Sequence, residues 1–138
     1  QSSSEGLQML ETMNSTVTWV MDGAGVPIAT YGTQEINNIG MIIDIRAKNA
    51  KTFVNELNKM MKNSSVNGSM ILFQDIFSGI KGRTHYVAIS SSSLEGVLSN
   101  LDNSLSSPEG QAYLKRAQKF RKVMGRSLFS LVKSWEAK

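Results

Sequence analysis

Few side chains in this sequence are equipped for chemistry. His85 is the only histidine, and there is no cysteine. A histidine can shuttle protons near neutral pH, and Tyr86 stands beside it as a hydroxyl partner. Asp44 and Asp75 are carboxylates set inside apolar stretches. Two such acids on adjacent strands can share a cleft and disturb each other's protonation, or each can pair with Arg46 or Arg83. A zinc or haem site needs several ligands. With one His and no Cys, no metal site and no cofactor are expected, and the eight methionines read as core filler. Asp22-Gly23-Ala24-Gly25 holds a glycine pair but lacks the third glycine and following helix of a dinucleotide loop; it reads as a turn.

The charge is uneven. Residues 1–110 carry a net −3 and residues 111–138 a net +7, giving +4 for the 138-residue chain. Lys115, Arg116, Lys119, Arg121, Lys122 and Arg126 are placed on a C-terminal basic helix stopped by Gly125. Such a stripe could meet nucleic acid. Aromatic residues are sparse there, and the spacing equally suits a solvated face, so nucleic acid is not the favoured partner. No apolar run approaches the ~18 residues of a membrane-spanning helix.

These residues must be held by a fold. Leu7 to Met13 suggests a short helix, Thr16–Met21 a strand, and Val26–Tyr31 a second strand that Pro27 confines to an edge. Ile39–Arg46 is a nearly continuous apolar strand. After Asn49 as N-cap, Phe53, Val54, Leu57, Met60 and Met61 step by three and four, marking an amphipathic helix. Ser69–Ser78 and Arg83–Ser90 are strands joined through Gly79 and Gly82. Leu94, Val97, Leu98, Leu101 and Leu105 mark another helix, and Ser107-Pro108-Glu109 starts a third. Ser127–Trp135 alternates as a closing strand.

Met41–Ile45 with its helix aligns without a gap on His85–Ile89 with its own. Ile45 then matches Ile89, and Phe53, Val54 and Leu57 match Val97, Leu98 and Leu101. The repeat gives an α+β, ferredoxin-like split βαβ plan: an antiparallel sheet of four to five strands with helices on one face. Residues 1–38 form an N-terminal extension and 39–138 the ferredoxin-like domain. The strands carry apolar residues on both faces, Met41 and Ile43 against Ile42, and Leu72 against Phe73. The face without helices therefore needs a cover, and a second copy stacked sheet on sheet is the expected one.

With Ile39–Met61, the hairpin Met70–Ile89 and the strand Ser127–Trp135 in view, the chain resembles the dimeric α/β-barrel superfamily, which includes small monooxygenase-like enzymes and stress-response barrel proteins. Gly125-Arg126-Ser127-Leu128 and Arg83–Val87 are similar to stretches of exported bacterial members. The resemblance implies a homodimer with a cleft between sheet and helices. Trp19, Phe53 and Phe73 are candidates to line it, and His85, Tyr86, Asp44 and Asp75 to act in it. The expected function is binding of a small apolar or amphipathic ligand, or of a protein partner, without catalysis. The alternatives are a cofactor-free or haem-dependent monooxygenase-like enzyme with its cleft at His85, and a nucleic-acid-binding module. Nineteen serines and ten asparagines without cysteine suit an exported protein, so a periplasmic or secreted location is expected over the cytoplasm.

Overall fold

The computed structural model describes residues 4–16, 23–33 and 38–132. The elements run α1 (Ser4–Thr16), β1 (Gly23–Gly32), β2 (Ile39–Ala47), α2 (Ala50–Met61), β3 (Ser69–Ser78), β4 (His85–Ser91), α3 (Leu94–Ser106), α4 (Pro108–Phe120) and β5 (Arg121–Ser130). All neighbouring strands are antiparallel, in the order β1-β3-β4-β2-β5. Strands β2 to β5 make the ferredoxin-like core expected from the repeat, and β1 adds a fifth strand beside β3. Pro27 lies on this outer strand, where its missing N–H costs no ladder bond, and a register shift follows it.

Helix starts follow the local chemistry. The Asn49 side chain accepts from Thr52 N, and those of Ser93 and Ser107 accept from Gly96 N and Gly110 N. Pro108 occupies the first turn of α4. The helices cover one face of the sheet. There Met41, Ile43 and Ile45 of β2, Leu72 of β3 and Val87 and Ile89 of β4 meet Phe53, Leu57, Val97, Tyr113 and Phe120. The repeat is visible in the packing: Phe53 and its counterpart Val97 are both fully buried. On β4, burial alternates strictly, since successive side chains point to opposite faces.

Three expectations change. Gly23–Gly25 is not a turn but the start of β1, paired with β3 from Gly23↔Ser78 onward. Thr16 ends α1 rather than opening a strand; the rest of that expected strand, with Trp19, lies outside the described residues. The chain's basic segment is not one helix. α4 ends at Phe120, and Arg121 is already extended, with φ −149° and ψ 159°. Its pairing partner explains this. β2 has a free edge, and β5 fills it from Ala47↔Arg121 to Ile39↔Ser130, so ladder bonds override the helical spacing read from the sequence. Gly125 sits within β5 beside a register shift, and does not stop a helix. The closing strand thus begins six residues earlier than Ser127, and residues 133–138 lie outside the described residues.

Candidate functional site

Two places gather the chemistry-bearing residues, one on each face of the sheet. His85 and Tyr86 are neighbours on β4, so they point to opposite faces and cannot share a cleft. Alternation along β3 likewise turns Phe73 to the face opposite Leu72, away from Phe53 on α2. Phe53 belongs to the core under the helices, whereas Phe73 lies on the open face, stacked on Tyr86 with ring centroids 4.7 Å apart and planes 10° apart. Phe73 is therefore not part of a sheet–helix cleft.

On the open face, Arg83 joins the two strand carboxylates. Its Nε donates to Asp75 Oδ2 at 2.8 Å and its Nη1 to Asp44 Oδ1 at 2.7 Å. The three side chains are only 11%, 4% and 9% exposed for Arg83, Asp75 and Asp44. Burial pushes the Arg83 guanidinium down, but the bonds to Asp75 and Asp44 outweigh it and hold it above its ordinary value. The guanidinium also lies 4.6 Å from the centroid of the Tyr86 ring, and burial raises the Tyr86 phenol. A cation shared between two acids is a structural clamp across β2, β3 and the turn before β4. With each acid held by Arg83, neither is set up as a general base.

On the helix face, His85 is 4% exposed. Its ring meets Phe53 edge-on at 5.4 Å, and its Nδ1 lies 2.9 Å from the Thr84 hydroxyl oxygen. The Ala47 N–H donates to that same oxygen. Burial pushes His85 below the usual imidazole value, and the charge of Asp75 opposes this only in part. A largely neutral ring results. His85 also lines an open groove of about 280 Å³ with Gln74, Asn55, Lys51, Val54 and Ile28. Among the described residues no cluster of His, Asp or Glu could hold a metal ion. With Nδ1 engaged by Thr84, Nε2 is the ring nitrogen that remains for a partner.

The helix face also holds a cavity of about 60 Å³ between the sheet and the helices. Ile45, Phe53, Leu57 and Val87 form its deep wall, all 3% exposed or less. Leu101 and Leu105 of α3 and Val123 of β5 are half-buried lining residues, so the mouth lies between α3 and β5. Polar groups enter only at the edges. Burial raises the Tyr113 phenol, although Arg121 opposes the shift. Arg121 Nε donates to Tyr113 Oη at 2.6 Å, with its guanidinium 5.1 Å from that ring's centroid. Arg126, four positions further along the β2 ladder, also borders the cavity.

Of the residues expected to line a cleft, Phe53 lines this cavity, Phe73 does not, and Trp19 lies outside the described residues. Asp44 and Asp75 come together, but through Arg83 and on the other face. Arg121 and Arg126 were grouped with a basic helix, and their part in the cavity wall was missed. The usable signal was the alternation Arg121, Val123 on the strand that follows Phe120. The remaining basic residues divide: Lys115, Arg116 and Lys119 stay on α4, with Arg116 bonded to Glu56, while Lys122 is exposed on β5. Among the described residues these basic side chains form no continuous helical stripe.

No family model matches the chain, and no curated protein does. Among solved structures, the chain is similar to a candidate monooxygenase from Lactobacillus acidophilus NCFM, with a TM-score of 0.52 and 19% identity. The match covers 95% of this chain and spans 61% of that protein's length. At this identity the likeness concerns the fold, and with the strand order above it places the chain among ferredoxin-like α+β proteins.

Proposed function

We propose that this chain is a small-molecule-binding protein whose pocket is the cavity between α3 and β5, and that it works as a homodimer joined through the open sheet face. The observation that carries the binding reading is the cavity itself. Protein interiors are close-packed and leave few voids larger than a water, whereas this one, at about 60 Å³, exceeds the ~10–15 Å³ that a single water needs. Apolar walls favour an apolar occupant over water. The dimer reading rests on the face opposite the helices, where Ile42, Ile71, Phe73 and Ala88 are only half-covered and Phe129 is 46% exposed.

Xenon provides the test, because a single apolar atom suits about 60 Å³, whereas a cavity that takes benzene has ~150 Å³. Xenon pressure followed by amide NMR is expected to shift residues 43, 87 and 123. Val123→Phe, which fills the lip, should abolish those shifts while leaving the remaining spectrum folded. Unchanged cavity resonances under saturating xenon would overturn the reading. Light scattering at high protein concentration is expected to give twice the chain mass, and a monomer would remove the dimer.

A second reading, a cofactor-free monooxygenase-like enzyme, is favoured by the groove at His85. There a buried, largely neutral imidazole faces Gln74, Asn55 and Lys51, and the structurally similar protein is described as a candidate monooxygenase. A neutral imidazole can accept a proton from an acidic C–H or O–H. Oxygen uptake with an easily oxidised phenolic substrate, lost in His85→Asn, is the expected result on this reading; equal uptake by the variant would exclude it.

A further inference from the structure

We infer that the occupant of the α3–β5 cavity is an anion with a short apolar body, a carboxylate of about three carbons, held by Arg126 at the mouth. The inference rests on the binding reading above and adds the chemical class of the ligand.

The size of the body follows from the cavity. At about 60 Å³ it offers less than half of the ~150 Å³ that takes a benzene ring, so the apolar body is a chain of about three carbons at most. The charge of the head follows from what borders the cavity. Its lining holds two guanidiniums and no acid. The nearby carboxylates are committed elsewhere. Glu56 is bonded to Lys59 and Arg116, and Asp44 is bonded to Arg83 on the opposite face of the sheet.

The two arginines are not equivalent. Arg121 lies opposite Ala47 and Arg126 opposite Ile43, which separates them by roughly 13 Å at 3.3 Å per residue. Arg121 is engaged by Tyr113 through both a hydrogen bond and its ring face. Arg126 is exposed and forms no ion pair among the described residues. It nevertheless occupies an inward-facing register position beside the cavity. Its stem can lie along the apolar lip while its planar fork stays at the mouth, where a carboxylate can be bound bidentately. Arg121 adds positive potential from the far end and has no acid to cancel it within the lining.

The test compares propionate with propionamide, which share a chain length and differ in charge, by amide NMR titration at pH 7 in low salt. Propionate should bind about tenfold or more tightly, and the preference should shrink in 0.5 M NaCl. Arg126→Met keeps an apolar stem over the lip and removes the charge; it should bring propionate down to the propionamide level. Arg126→Lys should retain part of the preference. Equal binding of the two probes by the natural protein, or an undiminished preference in Arg126→Met, would overturn the anion inference while the binding reading stands. Failure of both probes, with no xenon shifts, would overturn both.

Discussion

Replacing Arg83 by methionine should destabilise the fold severely, and by a predictable route. Arg83 is the single cation between Asp44 and Asp75, and all three side chains are at least 89% buried. Such pairs are little screened by water. Removing one partner of a buried pair costs about 3–5 kcal/mol, because the other charge stays behind uncompensated. Here two carboxylates remain, and Asp75 Oδ1 already lacks a hydrogen-bond partner among the described residues. Loss of the guanidinium over the Tyr86 ring adds a further ~0.5–1 kcal/mol. A domain of this kind has a stability of roughly 5–15 kcal/mol, so the variant forfeits a large share. At about 2–4 °C per kcal/mol, Tm should fall by about 7–24 °C. Urea unfolding followed by circular dichroism at pH 7 measures the loss. Adding Asp44→Asn and Asp75→Asn to Arg83→Met should recover most of it, since no buried charge is then left alone. A loss below about 1 kcal/mol would mean that the cluster behaves as a solvated surface pair. A triple variant no more stable than Arg83→Met would show that packing, not charge, sets the cost. Either result refutes the clamp.

Phe53→Ala should cost about 3–5 kcal/mol in urea unfolding, because a fully buried ring is deleted from the centre of the core. Gly68→Ala should cost about 1–3 kcal/mol by thermal melts, since Gly68 has φ +115° and an added Cβ would lie 2.2 Å from the Ser90 carbonyl oxygen. Asn49→Ala should lose about 1 kcal/mol through its missing bond to Thr52 N, and Asn49→Asp should not. For His85, burial lowers the folded-state value, so the unfolded chain takes up a proton first as pH falls below about 6.5. Stability should therefore decline from about pH 6.5 downward, and the urea midpoint of His85→Leu should fall less over that window; identical slopes would show that His85 titrates alike in both states.

Much of the architecture was legible because its signals are local. The three N-caps, the three- and four-residue steps of α2 and α3, and Pro27 as an edge marker depend on side chains close in sequence. The β4 alternation, by contrast, sets His85 and Tyr86 on opposite faces, against the expectation that both act in one cleft. What misled was a local signal overruled by a distant partner. Residues 121–126 carry helical spacing, yet pairing with Ile43–Ala47 makes them a strand. Gly23–Gly25 looks like a turn until β3 offers it a ladder.

The sequence by itself determined the ferredoxin-like plan, the helix-covered face and the identity of the core, since burial of apolar stripes follows from period and propensity. It also limited the available chemistry to one histidine, a few carboxylates and a cluster of basic residues. Only the tertiary structure decided which of these meet. Arg83 reaches Asp44, 39 residues away, by way of the β2–β4 ladder. Phe53 and Arg126 come to one cavity through α2 and β5. A cavity exists only where elements distant in the chain fail to fill the space between them, and no local pattern records that shortfall.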